Sequence, residues 1–382
     1  GWDTFQWRLL GSRTVMTRDP RSLKALHATQ FRDFGMGNNR KNNFRLALGH
    51  GIFAADGDEW RHARGVMRPY FQSEHVKRPN LDPHVRKLLM SIKTGPGGWT
   101  LEAVDLQQLF YTFALETSCD IFFGLSPGKD QAASFSAFAA AFDIVQECLS
   151  VRTKLGWAYF LYDGLKFRRA IAQVNRFVDN VVARATSAPS PTPTFLDQLL
   201  ASVPDSNPSL IRSQLLHLLI ASRDTVAVTL AWTFHQLSHH PEEYASLRKE
   251  ILCEPDADTT SQHIRHVLLE SLRLHPPIPI NTRTAIRDTC LPHGGGLSGN
   301  DPIFLRAGDE VLYSVYALHR DPKIWGTDEE EFRPARWHGR HKGGWEFLAF
   351  NGGPRVCLGQ RLAMTQMEAV VAAMVRKFES VK

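Results

Sequence analysis

One cysteine of this sequence stands in a setting that changes the chemistry of its thiol. Cys357 lies in the segment FNGGPRVCLGQRLAM, Phe350 to Met364, two residues after Arg355 and just before a predicted helix. That helix follows Gly359 and is indicated by apolar residues at alternating spacings of three and four: Met364, Met367, Val371, Met374 and Phe378. The first turn of a helix presents unpaired N–H groups and partial positive charge, which favour a thiolate. Cys357 can therefore act as a nucleophile, a redox centre or a metal ligand.

The glycines of the same segment leave room for a close neighbour. Gly352, Gly353 and Gly359 lack Cβ atoms, so the backbone can take positive φ angles or pass close to a flat, bulky group. A buried free cysteine beside a glycine turn is the simplest interpretation of such a residue in isolation. A cysteine hydrolase would need a histidine base within reach of Cys357, and none is adjacent in this loop.

The order of residues in the loop decides between these interpretations. Phe350, Gly353, Arg355, Cys357 and Gly359 stand in the order Phe-x-x-Gly-x-Arg-x-Cys-x-Gly. This order resembles the haem-binding signature of the cytochrome P450 family at every fixed position. The resemblance implies that Cys357 ligates the iron of haem b as a thiolate, donating electron density that favours O–O cleavage. It also implies that Phe350, Arg355 and Gly359 help to bind the cofactor.

A second constellation lies in the segment IRHVLLESLRLH, which predicts a helix from Ile264 to His275 that ends before a proline pair. Glu270 and Arg273 lie one turn apart on the same face of this helix. They resemble the family's Glu-x-x-Arg pair, which is buried and joined by an arginine from a later loop, here Arg336. The resemblance implies a structural role for these three residues in shaping the cysteine loop.

A third constellation, ASRDT, interrupts the apolar helix LLHLLIASRDTVAVTLAW with Asp224 and Thr225. A threonine in a helix often bonds back to the carbonyl four residues earlier, and this is the structural alternative. The segment resembles the family's oxygen-activation motif, which implies that Asp224 and Thr225 are catalytic and relay protons to bound dioxygen. Ser222 stands where family members usually have glycine, so the local opening of the helix is expected to differ.

Three further residues resemble the family's partners of the haem propionates. Trp60 and Arg64 match its W-x-x-x-R helix, and their spacing puts both side chains on one face. Arg283 is the matching candidate after the proline pair. Arginine suits this task because its guanidinium group is planar and permanently charged.

Composition bounds the fold and the partners. The 382 residues carry a net charge of +6, and 43% of them are hydrophobic. The basic residues are spread along the chain, which argues against nucleic acid as a partner. The five cysteines are widely separated with no Cys-x-x-Cys pair, so neither disulfides nor a zinc site are predicted, and a reducing compartment fits best.

The hydrophobic pattern predicts a mainly α protein with small β-sheets. Helices are predicted at 105–123, 132–149, 170–185 and 209–237, and strand-like alternation is confined to short pieces such as Ile303 to Tyr316. Gly294 to Gly299 formally matches G-x-G-x-x-G, but no strand-turn-helix context surrounds it, so we interpret it as a turn between strands. We expect the cytochrome P450 fold, as one catalytic domain over residues 1–382 that lacks the N-terminal anchor and the C-terminal hairpin. No apolar run approaches the length of a membrane span.

The substrate is indicated by further resemblance. The stretches TQFRDFGMG, GIFAADGDEWRHARGVMRPYF, ASRDT and INTRTAIRDTCLPHGGG are similar to those of fungal alkane- and fatty-acid-hydroxylating members. This implies a long apolar substrate, hydroxylated at or near its terminal methyl group. One alternative is a tailoring oxygenase acting on a fungal polyketide or terpenoid. Another is a truncated remnant with weak haem binding or none, since the chain ends 25 residues after Cys357 and its link from Cys253 to Ser261 is short.

The partners follow from the same resemblance. Because the chain has no flavin or iron–sulfur motif, electrons are expected from NADPH through a separate cytochrome P450 reductase, with O2 as co-substrate. Basic residues cluster in sequence around the cysteine loop and are candidates for docking this reductase: Arg333, Arg336, Arg340, Lys342 and Arg361. A solvated basic surface is the simpler interpretation of that cluster. The full-length form is expected at the cytosolic face of the endoplasmic reticulum membrane, with this chain associated with the membrane surface.

Overall fold

A computed structural model describes most of the chain. The described residues are 3–9, 12–73, 81–95, 100, 102–125, 132–187, 194–202, 207–253, 261–339 and 344–382. They form a mainly helical protein with two small β-sheets, so the predicted fold class is confirmed.

The strands are short and mostly lie in the last third of the chain. They are β1 (Thr4–Leu9), β2 (Ser12–Thr17), β3 (Phe34–Gly35), β4 (Ile280–Ala285), β5 (Thr289–Gly295), β6 (Asp301–Leu305) and β7 (Glu310–Ser314). Five of them form a sheet in the order β1-β2-β7-β4-β3, and β5 pairs with β6 in an antiparallel hairpin. The predicted turn between strands lies in this hairpin, but Gly294 and Gly295 still belong to β5 and the turn itself is Gly296 to Gly299.

The helices include every helix that the sequence predicts. They are α1 (Pro20–Lys24), α2 (Asn38–Leu48), α3 (Gly57–Gln72), α4 (Asp82–Ser91), α5 (Leu106–Phe123), α6 (Ala132–Lys154), α7 (Leu165–Ser187), α8 (Phe195–Ser202), α9 (Pro208–His239), α10 (Pro241–Cys253), α11 (Gln262–Leu274), α12 (Val315–Leu318), α13 (Pro322–Trp325) and α14 (Gln360–Lys377). In α14 the predicted apolar stripe is buried, from Met364 to Met374. Helix α11 ends at Leu274, because the proline pair after His275 cannot continue it.

The strand pattern from Ile303 to Tyr316 needs a correction. The segment is not one strand but the end of β6, a turn with Gly308 at φ +97°, and β7. Val315 and Tyr316 already belong to α12, which Ser314 caps by accepting a hydrogen bond from the backbone N–H of Ala317. The alternation of apolar and polar residues does not reveal such a turn, because it has the same two-residue period in both strands.

The five-stranded sheet buries one face, and this face positions a charged residue. Val15 on β2 and Arg283 on β4 both pair with Val311 on β7, in parallel and antiparallel register respectively. Side chains two residues apart share a face, so Tyr313 lies beside them. All four side chains are at most 3% exposed. Arg283 is therefore held inside the core that covers this face.

The chain divides into two compact units. The first comprises residues 1–35, 80–113 and 224–382, and it contains the five-stranded sheet, α11 and the cysteine loop. The second comprises residues 36–79 and 114–223, and it contains α2, α3, α6, α7 and α8. The expectation of one catalytic domain over residues 1–382 stays a prediction.

Two helices are long and apolar enough to cross a membrane by length and composition alone, which corrects the expectation that no apolar run is long enough. They are Ala133–Lys154 and Pro208–His239, with 39% and 56% of the apolar window buried inside the protein. Core helices of soluble proteins pass the same test, so this is weak evidence for a span.

His263 ties helix α11 to helix α10. Its Nε2 lies 2.6 Å from Glu243 Oε1, and its Nδ1 lies 3.0 Å from Glu250 Oε2. Both ring nitrogens donate only in the protonated imidazolium form. The hydrogen bond to Glu243, together with Glu250, outweighs partial burial and raises the pKa of His263.

The contact predicts how stability depends on pH. A raised folded-state pKa means that the stabilisation is fully present below the unfolded pKa of about 6.5 and is lost as pH rises through the folded-state pKa. We therefore expect the melting temperature to fall more steeply in the wild type than in His263→Gln as pH rises above about 6.5. His62→Gln, which changes an exposed histidine of α3, should keep the wild-type slope. Equal slopes in the wild type and His263→Gln would contradict the account.

Candidate active site

The cysteine loop is held by its own backbone. The N–H of Cys357 donates to the carbonyl oxygen of Phe350 at 2.9 Å, and the N–H of Val356 donates to that of Gly353 at 3.0 Å. Gly359 is the N-cap residue of α14, so this helix begins three residues after Cys357, close to the predicted position. The side chain of Cys357 is exposed. The loop thus presents a thiol at the start of a helix.

Two glycines let this loop pass close to its neighbours. Gly353 has φ +63°, and a Cβ there would collide with the carbonyl oxygen of His27. Gly352 is extended, and a Cβ there would lie 2.6 Å from the ring of Trp345. The left-handed conformation also occurs at Asn351, at φ 62°. Larger residues at Gly352 and Gly353 would therefore push the loop away from the elements that support it.

The carboxylate of Glu270 is the centre of a buried ion network. Arg273 donates to it from Nε at 3.0 Å and from Nη2 at 2.8 Å, and Arg336 donates from Nε at 3.2 Å. Trp337 adds its indole N–H at 2.9 Å. The side chains of Glu270 and Arg273 are 0% exposed. The structure thus brings together the three residues for which the sequence predicts a structural role.

Asp328 compensates the second arginine of this network. It lies 2.9 Å from Nη1 of Arg336. Burial alone would lower the pKa of Arg336, but Asp328 and Glu270 outweigh this effect and raise it. Arg336 is therefore bound between two carboxylates, which keeps its charge inside the protein.

His319 connects the ion network to the cysteine loop. Burial lowers the pKa of His319 to about 3, so its ring is neutral and carries one proton. Its Nε2 accepts from the backbone N–H of Leu348 at 2.9 Å, which leaves the proton on Nδ1 to donate to the carbonyl oxygen of Arg273 at 3.1 Å. Leu348 in turn accepts from the N–H of Asn351 at 2.9 Å. A continuous set of hydrogen bonds thus runs from Arg273 into the loop that carries Cys357.

Arg283 is a buried cation that lacks an anionic partner among the described residues. It is 3% exposed. Its Nη1 donates to the carbonyl oxygen of Thr282 at 2.6 Å, and its guanidinium carbon lies 5.6 Å from the ring centroid of Tyr313. An uncompensated buried charge is costly.

Arg355 is half-buried, with its guanidinium carbon 5.9 Å from the ring centroid of Phe31.

Trp60 and Arg64 lie in the second unit, on α3. Their i,i+4 spacing places the guanidinium carbon of Arg64 5.8 Å from the ring centroid of Trp60. Trp60 is 6% exposed, and Arg64 is half-buried. The two side chains therefore form one pair, as their spacing predicts.

Asp224 and Thr225 are half-buried residues of α9. The carbonyl oxygen of Thr225 accepts a second hydrogen bond, from Thr229 Oγ1 at 2.7 Å. Ser222 stands where the family pattern usually has glycine. Its Oγ donates to the carbonyl oxygen of Leu218 at 2.9 Å and accepts from Ser118 Oγ at 2.7 Å. The serine that replaces glycine thus has defined partners on its own helix and on α5.

Comparison with known proteins identifies the family of this chain. The sequence model of the cytochrome P450 family matches residues 2–381. The chain belongs to the cytochrome P450 family. Similar curated relatives are cytochrome P450 monooxygenase g430 of Fusarium sp and cytochrome P450 52A12 of Debaryomyces hansenii, each 38% identical over 99% of this chain. The aligned regions cover 72% and 78% of the length of those two relatives. A third relative, cytochrome P450 monooxygenase alt2 of Alternaria solani, is 36% identical over 99% of this chain and 78% of its own length.

As a cytochrome P450 monooxygenase, the chain is an oxidoreductase of a family that carries haem. The described residues fit this group. An exposed thiol stands before α14 in a loop of close backbone contacts, which suits a thiolate ligand. A buried guanidinium group, that of Arg283, has no carboxylate partner among the described residues, and a propionate would supply one.

Sequence reasoning missed two members of the ion network and its link to the loop. Asp328 and Trp337 bond to Arg336 and Glu270, and His319 joins Arg273 to Leu348. An acidic run, Asp328 to Glu331, precedes Arg336 in the sequence and was the available signal for Asp328. No local pattern identifies His319, because its partners lie 46 and 29 residues away.

Removal of the central charge should be costly. Glu270→Gln leaves Arg273 and Arg336 charged at a buried carboxamide, so we expect the free energy of unfolding in urea to fall by about 3–5 kcal/mol. The matched control is Glu59→Gln: Glu59 is 56% exposed and lies beside His50, which is 52% exposed, so the change should stay below about 1 kcal/mol. A similarly small loss for both variants would remove the proposed structural role of Glu270.

Proposed function

We propose that this cytochrome P450 monooxygenase inserts one atom of O2 into an unactivated C–H bond of a long-chain alkane or fatty acid, at or near the terminal methyl group. The observation that carries the haem-thiolate part is the placement of Cys357, which is exposed and lies three residues before α14 begins. The substrate rests on the resemblance of four sequence stretches to fungal alkane- and fatty-acid-hydroxylating members. Similarity to cytochromes P450 52A12, 52A10 and 52A3-B, at 37–38% identity, agrees with it.

Each predicted site residue has a task in this proposal. Haem bound through Cys357 would supply the iron at which O2 is activated. Arg283 and Arg355 would hold the haem propionates, and Trp60 and Arg64 of α3 are proposed for the same role. Phe350 and Gly359 frame the ligand loop, since Phe350 accepts the N–H of Cys357 and Gly359 caps α14.

Proton delivery is assigned to α9. With haem bound, Asp224 would pass protons inward from solvent, and the hydroxyl of Thr225 would hold a proton for the reaction. Half-burial suits this task, because a relay must reach solvent at one end. The hydrogen bonds of Ser222 keep the preceding turn of the helix bonded where a glycine would leave it open.

Product formation tests the substrate and the proton relay together. Incubation with a fungal cytochrome P450 reductase, NADPH and a series of long-chain alkanes and fatty acids should give terminal alcohols, detected by mass spectrometry. Thr225→Val should lower the rate of product formation by roughly 100-fold, without changing the substrate-induced shift of the haem spectrum. Thr229→Val, one turn along the same helix, should have little effect.

Three outcomes separate the alternatives. Product from polyketide or terpenoid substrates alone would favour the tailoring oxygenase. Haem binding without product from any substrate would contradict monooxygenase activity in this chain. An equal loss for Thr225→Val and Thr229→Val would contradict the relay and leave the substrate assignment standing.

The reductase is proposed to dock on basic residues around the cysteine loop. Arg361, in the first turn of α14, is exposed and suits this role. Arg333 is 54% exposed but pairs with Asp328, and Arg336 is committed to the ion network. Arg340 and Lys342 lie outside the described residues. In the product assay, Arg361→Glu should slow NADPH-driven turnover in a salt-dependent way, and an unchanged rate would remove this surface.

Association with the endoplasmic reticulum membrane is supported by an exposed apolar segment of the second unit. It begins after α6 and ends at the first residue of α7, and it includes Trp157, Phe160, Leu161 and Leu165, which are 57%, 56%, 72% and 73% exposed. Exposed basic residues flank it: Lys154, Lys166 and Arg169. Aromatic and aliphatic side chains beside lysine and arginine suit the interface of an anionic bilayer.

Binding to lipid vesicles tests this surface. Leu161→Asp should weaken binding to vesicles of phosphatidylcholine and phosphatidylserine by at least about tenfold, because it removes about 1.5–3 kcal/mol of apolar burial. Leu297→Asp is the matched control, since Leu297 is 96% exposed in the turn between β5 and β6. Cosedimentation measures both. Equal weakening by the two variants would contradict the assignment to this segment.

A further inference from the structure

Three polar side chains meet in one buried cluster on the inner face of the five-stranded sheet. His27 comes from the π-helical turn Ala25–Thr29 that follows α1, Tyr313 from β7 and Arg283 from β4. They are 1%, 1% and 3% exposed. The rings of His27 and Tyr313 meet edge to face with centroids 4.6 Å apart, and Arg283 lies over the same tyrosine ring.

Each member has unused hydrogen-bonding capacity. His27 Nε2 and the Tyr313 hydroxyl are buried without a hydrogen-bond partner among the described residues. Arg283 donates to one carbonyl oxygen and meets no carboxylate there. Buried polar groups are nearly always bonded. Three such groups in contact point to a single missing partner.

The charge of the cluster defines that partner. Burial and the nearby charges of Arg283 and Arg355 lower the pKa of His27 well below its ordinary value, so the ring is neutral. A neutral imidazole carries one N–H, and an acceptor beside Nε2 selects the tautomer that has the proton there. With the phenol O–H and the guanidinium N–H groups, the cluster then offers several donors and one positive charge. Its complement is a carboxylate.

We propose that His27 and Tyr313 form, together with Arg283, a donor cluster that binds one propionate of the haem. The inference rests on the proposed haem-thiolate function and adds two residues that no sequence motif marks. A carboxylate has two oxygens with about four acceptor positions, enough for the guanidinium, imidazole and phenol donors together. Hydrogen bonds to a charged acceptor in a dry site are the strong ones.

The same histidine joins this anchor to the thiolate loop. The carbonyl oxygen of His27 fills the space that a Cβ on Gly353 would need, four residues before Cys357. The ring of His27 also lies parallel to that of Trp345, with centroids 6.2 Å apart. A propionate bound at Nε2 therefore fixes a residue that already contacts the cysteine loop through its backbone.

Haem transfer to excess apomyoglobin tests the cluster. Tyr313→Phe and His27→Phe should each release haem about tenfold faster than the wild type, because each loses one charge-assisted donor. His27→Gln should recover part of the loss, since its amide nitrogen can replace Nε2–H. Tyr316→Phe is the matched control: Tyr316 also lies under an arginine, Arg320, but is 46% exposed.

The melting temperature of the haem-free protein separates binding from packing. Tyr313→Phe should leave it unchanged or raise it, because the variant removes a buried hydroxyl without a partner. Unchanged haem release in both phenylalanine variants, or a fall in haem-free stability that parallels the faster release, would overturn the proposal. A wild type that takes up no haem would overturn the proposed function as well, whereas normal uptake with unaffected variants would overturn the cluster alone.

Discussion

A carboxylate without access to water, that of Glu270, is the interaction on which the organisation of the cysteine loop depends. Such a charge is tolerated only where its acceptor positions are filled, and here three side chains and the backbone N–H of Arg333 fill them. The network adds little net stability compared with apolar residues of the same volume, because burying its charges costs about as much as their attraction returns. Its consequence is geometric: it fixes Arg273, and through His319 it fixes Leu348.

From Leu348 the constraint continues by backbone geometry. Asn351 and Gly353 both take left-handed φ angles, which turn the chain so that the N–H of Cys357 reaches the carbonyl oxygen of Phe350. The sulfur is thus presented by a loop with one buried support on the Glu270 side and another at the carbonyl oxygen of His27. A preorganised loop suits the ligation of a large rigid cofactor, because less free energy is then lost in ordering the ligand residue.

The sequence predicts local geometry better than distant contacts, and particular residues show why. Glu270 with Arg273 and Trp60 with Arg64 are set by helical spacing, so sequence alone places each pair on one face. The start of α14 after Cys357 follows from an apolar stripe in the same way. Asp328, His319 and Tyr313 depend instead on which loop or strand lies opposite, and no periodicity reports this. The division of Ile303 to Tyr316 into two strands was missed because a turn between strands preserves their alternation.

The central claim is that the sulfur of Cys357 is the axial ligand of a haem, and one spectrum tests it most directly. The purified protein is reduced, carbon monoxide is added, and the difference spectrum is recorded for the wild type, Cys357→Ser and Cys290→Ser. Cys290 is the matched control because its side chain is also an exposed thiol. We predict the red-shifted Soret band of thiolate-ligated haem in the wild type and in Cys290→Ser, and its loss in Cys357→Ser. Absence of the band from the wild type, or its persistence in Cys357→Ser, would contradict the account.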